Sequence, residues 1–233
     1  MKISIYAGIH KSGTTTVQNY LAEHWSHEGH TAWYPRINPK DINHSAVFAP
    51  LLNRSAGSGA IQNSLRKIGE IIDEGRYRGV ERIIFADENV CWAEPRQASQ
   101  FLLAFNGLVD RVVFTASRPA TRWASSWQQQ VKRGLDQVPA SSSLSLMHGR
   151  HRKLDQSLRA FDAVPVSLRL VRTEPPEEDL AKEVARMLGI HESLMPSVEQ
   201  VLNSSLGDRT ELLRRLNAFG ITRNLRRFKK DKE

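Results

Sequence analysis

Cysteine is almost absent from this 233-residue chain: Cys91 stands alone, so no internal disulfide can form. That economy fits a reducing compartment. Cys91 itself reads as a small buried residue rather than a nucleophile. Long apolar runs are missing too, and no stretch reads as a membrane span. Met1 leads straight into a strand-like segment, leaving no room for a signal peptide, so a cytoplasmic location is expected. No internal repeat is visible. A metal-ligand set is also lacking. His24, His27 and His30 straddle a helix end with no cysteine or carboxylate set beside them, so no metal is expected.

Acidic residues are outnumbered, 25 against 33 Lys and Arg, for a net charge of +8. This favours anionic partners such as nucleotides, acidic glycans or anionic lipid. Part of the excess lies in a tail from about residue 222, with Arg223, Arg226, Arg227, Lys229, Lys230 and Lys232. The tail reads first as a solvated end, and second as a contact for a membrane surface. Nucleic acid is not an expected partner. Hydrophobic residues make up 40% of the chain, enough for the core of one domain over 1–233.

What is present is an alternation of strand and helix signals. Apolar runs near 3–7, 32–34, 82–86, 111–116 and 165–171 read as strands. Ile61, Leu65, Ile68 and Ile72 recur at helical spacing. Ala46 to Leu52, Phe101 to Phe105 and Leu180 to Leu188 read as further helices, the last ended by Gly189. Asp208 and Glu211 form a capping pair for a final helix. This order implies an α/β fold, a three-layer sandwich around a parallel sheet of about five strands.

The chain is organised around Ile5 to Leu21. A strand ends near Ala7, Gly8 to Thr16 form a loop, and Val17, Leu21 and Trp25 continue at helical spacing. A helix N-terminus with unpaired N–H groups attracts an anion. Gly13 permits close backbone approach, Lys11 adds a charge, and Ser12, Thr14, Thr15 and Thr16 add donors. The spacing of Gly8 and Gly13 fits a Walker A loop, but Thr14 stands where that motif has lysine. The lysine sits inside the loop instead, at Lys11. An ordinary nucleoside triphosphatase is therefore disfavoured, and a phosphate cradle is retained.

His10-Lys11-Ser12-Gly13-Thr14-Thr15-Thr16 resembles the 5′-phosphosulfate loop of the sulfotransferase family, bacterial type, which binds PAPS (3′-phosphoadenosine 5′-phosphosulfate). A second segment, R-P-A-T-R-W-A-S-S-W from Arg118, follows a buried strand and resembles the family's 3′-phosphate motif. The resemblance implies that His10 to Thr16 bind PAPS, that Arg118 and Ser126 hold its 3′-phosphate, and that 3′,5′-ADP is the product. It also implies a P-loop-like fold and transfer of a sulfuryl group to a hydroxyl or amine, with no metal required. The acceptor is expected to be a carbohydrate, a glycolipid or a small metabolite.

Transfer needs a positive charge on the leaving oxygen and a base for the acceptor's proton. Lys11 is assigned the first role. Two residues compete for the second. His44 lies in the loop after the first helix, where the resemblance to heparan-sulfate-type members implies a glutamate. Glu88 lies at a strand end, where cytosolic members carry a histidine. Histidine has the better unperturbed pKa for the task, whereas Glu88 would need burial or a charged neighbour. Gln128 and Lys132 are weaker candidates for the acceptor side.

Two other readings stand beside this one. A P-loop kinase or NTPase would use Asp87, at the end of Ile83-Ile84-Phe85-Ala86, to hold magnesium. A non-catalytic binding protein would hold a nucleotide or other anion in the loop without chemistry.

Overall fold

The computed structural model describes residues 1–9, 12–27, 31–38, 41–117, 124, 127, 156–161, 164–171 and 178–195. The chain divides into two compact units, Met1–Ser117 with Arg152–Leu202, and Arg118–His151 with Asn203–Glu233. In the second unit Ala124 and Trp127 are described, both helical. The first unit carries the sheet.

Its strands are β1 (Lys2–Tyr6), β2 (Ala32–Trp33), β3 (Arg82–Ala86), β4 (Val109–Ser117) and β5 (Val166–Val171). All pair in parallel, in the order β2-β3-β1-β4-β5. The expected α/β class and parallel five-stranded sheet are what the chain adopts. Its α-helices are α1 (Thr14–Trp25), α2 (Ser45–Leu52), α3 (Ser58–Tyr77), α4 (Pro95–Leu103) and α5 (Glu178–Met187). Residues 156–160 are also helical.

Alternation along each strand divides the apolar residues between two faces. Ile3, Ile5, Ile83, Phe85, Val112 and Phe114 face one core, shared with Phe48 of α2, Ile68 and Ile72 of α3 and Phe101 of α4. Cys91 is buried in the same core. Tyr6, Ile84 and Val113 face the other, shared with Val17, Leu21 and Trp25 of α1 and Val184 of α5. Helices thus cover both faces, as a parallel sheet requires.

One helix departs from the sequence reading. Of the expected stripe Ile68 and Ile72 are buried and Ile61 is half-buried, but Leu65 is exposed, and Ser64 and Gly75 are buried in addition. Gly75 brings α3 close to β3: a Cβ there would come 2.6 Å from Ile83 Cδ1, which would have to shift. Two helices end on left-handed glycines, α3 at Gly79 (φ +67°) and α5 at Gly189 (φ +92°). In both, paired backbone bonds close the turn: Gly79 N–H to Arg76 O with Val80 N–H to Gly75 O, and Gly189 N–H to Arg186 O with Ile190 N–H to Ala185 O.

The amino-terminal edge of the sheet is tied by ion pairs on Asp110, from Arg82 and, at 3.5 Å, from Arg111. Arg82 on β3 donates to both carboxylate oxygens of Asp110 on β4, at 2.7 and 3.0 Å, spanning β1 between them. Ser4 of β1 joins the group, its hydroxyl 2.8 Å from Leu188 O and 3.3 Å from Asp110 Oδ1, with one proton shared between the two. Burial pushes the Asp110 carboxyl up, but the Arg82 bonds and charge, with Arg111 and Ser4, outweigh it and hold it below the usual carboxylate range.

The carboxyl-terminal edge is built differently. After β1 the chain turns to α1 on one face, while after β3 it turns to α4 on the other. Adjacent strands whose connections part to opposite faces leave a crevice between them, where ligands bind in open α/β sheets. Among the described residues no helix is long and apolar enough to cross a membrane.

Candidate functional site

The crevice is lined on one side by the β1–α1 loop. Pairing with β4 continues beyond β1, with Ala7 N–H to Val113 O and Ile9 N–H to Thr115 O. The loop closes through Ser12 N–H to Ile9 O at 3.1 Å, and α1 opens at Gly13 with φ +75°. Glycine is needed there for two reasons. A side chain would be strained at that φ, and its Cβ would lie 2.5 Å from Leu180 Cδ2 on α5.

No side chain caps α1, and its first turn carries no acidic residue. Its leading N–H groups lack intrahelical acceptors by the geometry of any helix start. The first turn is therefore a patch of donors at the positive end of a helix dipole.

The loop's hydroxyls were expected to add donors to that patch. Two of them point elsewhere. Ser12 Oγ donates to Ile9 O at 2.6 Å and lies 2.8 Å from Thr115 Oγ1, while Thr14 Oγ1 donates to Ile9 O at 3.2 Å. Both side chains are buried, as is Thr16, and Thr15 is half-buried. Both donors of Ser12, its N–H and its Oγ, are thus bonded within the loop, and Thr14 has only its main-chain N–H to offer an anion. His10 and Lys11 lie outside the described residues, and so do Arg118, Ser126, Gln128 and Lys132.

The other wall is the end of β3. Tyr6 and Ala86 are register partners, and Asp87 N–H donates to Tyr6 O at 3.0 Å. The loop and Asp87-Glu88-Asn89 therefore leave neighbouring strands at the same level. Asp87 is fully buried and caps the short 3-10 helix Glu88–Trp92. Its Oδ1 accepts from Asn89 N–H and Nδ2, both at 3.0 Å, and from Ser45 Oγ at 2.9 Å. Burial raises the carboxyl's pKa, and these bonds oppose that only in part. Glu88, the first residue of this 3-10 helix, is half-buried beside the crevice.

His44 lies behind this wall. Its ring is 1% exposed, stacked edge-on against Tyr34 and Phe85. Nδ1 accepts from Ala86 N–H at 2.9 Å, so the proton is on Nε2, which donates to Pro35 O at 2.8 Å. Burial pulls its pKa down to about 4, against a smaller upward effect of the backbone bonds. The imidazole is neutral, its lone pair is taken, and solvent does not reach it. These are the properties of a post that fastens the β2–α2 loop to β3, and they leave nothing with which to accept an acceptor's proton.

Sequence reasoning missed Tyr6 and Thr115, whose hydroxyls meet at 2.7 Å beneath the loop. Both sit inside strands and read as framework. The alternation that placed Ile3 and Ile5 on one face was the available signal for Tyr6, since it puts that ring on the face of α1. Among the described residues no group of three or more His, Cys, Asp or Glu side chains forms a cation site.

No protein-family profile matches the chain, and no curated protein does. Among the solved structures similar to it are a sugar kinase and a sulfotransferase. The sugar kinase, from a Janibacter species, is 16% identical over 84% of this chain and 99% of its own, with a TM-score of 0.36. The sulfotransferase, from Alicyclobacillus acidocaldarius, is 14% identical over 95% of this chain and 94% of its own, with a TM-score of 0.55. The second likeness extends over nearly the whole of both chains, and at that identity what it establishes is a shared fold.

Proposed function

We propose that the protein is a sulfotransferase that moves a sulfuryl group from PAPS to a hydroxyl or amine of a carbohydrate, glycolipid or small metabolite. The observation that carries this is the β1–α1 loop. It presents an uncapped helix N-terminus and a left-handed glycine at the crevice, in a chain without the Walker lysine. The fold shared with a sulfotransferase over 95% of the chain supports the same reading.

In this scheme the N–H groups at the start of α1 hold the 5′-phosphosulfate, and Arg118 with Ser126 hold the 3′-phosphate. The acceptor oxygen or nitrogen attacks sulfur while the bond from sulfur to the bridging phosphate oxygen breaks. Lys11 stabilises the charge growing on that oxygen. Glu88 takes the acceptor's proton, a choice that the burial and bonding of His44 support. The products are the sulfated acceptor and 3′,5′-ADP. A kinase would need magnesium at Asp87, whose Oδ1 takes three hydrogen bonds within the fold while its buried Oδ2 has no partner among the described residues; the objection to that reading is Thr14 in the place of the Walker lysine.

Calorimetric titration with 3′,5′-ADP, 5′-AMP and ATP plus magnesium tests the reading. A clear preference for 3′,5′-ADP is expected. Preference for ATP with magnesium would favour a kinase, and binding of none of the three would favour a non-catalytic protein.

A further inference from the structure

Three buried hydroxyls lie in a row beneath the β1–α1 loop. Tyr6 Oη is 2.7 Å from Thr115 Oγ1, which is 2.8 Å from Ser12 Oγ. Ser12 Oγ is in turn 2.6 Å from Ile9 O. All three residues are at most 3% exposed, and they come from β1, β4 and the loop. One direction of donation serves every hydroxyl. Tyr6 donates to Thr115, Thr115 to Ser12, and Ser12 to the Ile9 carbonyl, with the Thr115 carbonyl a second acceptor 3.0 Å from Ser12 Oγ. A buried chain of this kind, with each proton used, strengthens its own members. Burial holds the Tyr6 phenol well above its usual range, so it stays a donor.

Two further observations fit. Gly8 is where the chain has no room for a side chain, because a Cβ would lie 2.6 Å from Tyr6 Oη and 2.9 Å from Thr115 Oγ1. This glycine makes space for the hydroxyls. The Ile9 carbonyl receives three donors, Ser12 N–H, Ser12 Oγ and Thr14 Oγ1. A carbonyl oxygen turned toward a bound anion would repel it, and these bonds occupy it within the loop.

We infer that Tyr6, Thr115 and Ser12 form a hydroxyl truss that sets the shape of the β1–α1 loop, with Thr115 as the positioning residue at its centre. Its bearing on ligand affinity rests on the nucleotide-binding role proposed above; its bearing on the loop does not. Thr115→Val keeps the shape of the side chain and removes the hydroxyl, whereas Thr115→Ser keeps the hydroxyl.

The test is amide hydrogen exchange on the ligand-free full chain, followed by calorimetry with 3′,5′-ADP. In Thr115→Val, exchange over residues 12–16 should accelerate at least tenfold while α3 and β3 keep wild-type rates. Affinity for 3′,5′-ADP should fall at least tenfold. Thr115→Ser should restore both to within threefold. Should Thr115→Val fail to fold, Ser12→Ala removes the truss from the loop side and should accelerate the same amides. Unchanged loop exchange in the variant that folds, or a serine variant behaving like valine, would overturn the truss. Accelerated loop exchange in a protein whose wild type does not bind 3′,5′-ADP would instead retire the nucleotide reading and leave the truss standing.

Discussion

His44 shows what burial does to a residue whose unperturbed chemistry looks catalytic. In the unfolded chain it takes up a proton near pH 6.5, whereas in the fold it resists doing so until about pH 4. Below 6.5 the unfolded state therefore binds the extra proton, and stability falls as pH drops toward 4. The full effect is ~3 kcal/mol, at 1.36 kcal/mol per pKa unit; above 6.5 this group contributes no pH dependence. Urea unfolding at pH 7, 6 and 5 should show the loss in the wild type and a flatter profile in His44→Gln, which stays neutral throughout. The same variant separates the two candidate bases. His44→Gln should keep its kcat to within a few-fold where it folds, and Glu88→Gln should lower kcat by about 10²–10⁴ with little change in 3′,5′-ADP affinity. The sequence made His44 legible as a histidine in a loop near the site. It carried no sign of Pro35 and Ala86 on either side of the ring, because those contacts come from segments that meet only in the folded sheet.

At the scale of elements, glycine positions decide where helices stop and how closely they lie on the sheet. Gly79 and Gly189 both end helices with positive φ, but their surroundings differ. Nothing lies within 4 Å of a Cβ at Gly79, whereas a Cβ at Gly189 would sit 2.8 Å from Arg82 Nε. Gly79→Ala should cost about 1–2 kcal/mol, the price of left-handed backbone alone. Gly189→Ala should cost more, since it also disturbs the Arg82–Asp110 pair; chemical denaturation of both variants checks the order. Gly189 was readable from sequence as a helix stop, because a glycine after an apolar repeat has that local meaning. The exposure of Leu65 was not. Leu65 fits the periodic stripe better than Ser64, yet α3 buries Ser64, a choice made by contacts between elements that spacing along the chain does not carry. The strands were read almost to the residue, since continuous apolar runs such as Ile83-Ile84-Phe85 are what burial on both faces requires.

Across the whole first unit the two edges of the sheet divide the work. The amino edge is fastened by Arg82, Asp110 and Ser4, and the carboxyl edge carries the loop and the β3 end. Arg82→Met should therefore reduce stability by about 2–3 kcal/mol, below the range for a fully buried broken pair because both partners keep some solvent contact. It should leave 3′,5′-ADP affinity within twofold of wild type, as measured by calorimetry on the folded variant. The sheet order has a further consequence, for synthesis rather than for the finished molecule. β1 occupies the middle, and Ile3 takes its partners from Ile83 on one side and Val109 on the other. At about 5–20 residues per second on the ribosome, the first strand waits roughly 5–20 s before its second neighbour has been made. Throughout that interval Ile3 and Ile5 have no complete sheet to enter. The nascent chain is then most open to chaperone capture at the segment that later supports the loop, and the central strand gains its second neighbour only once β4 has been made.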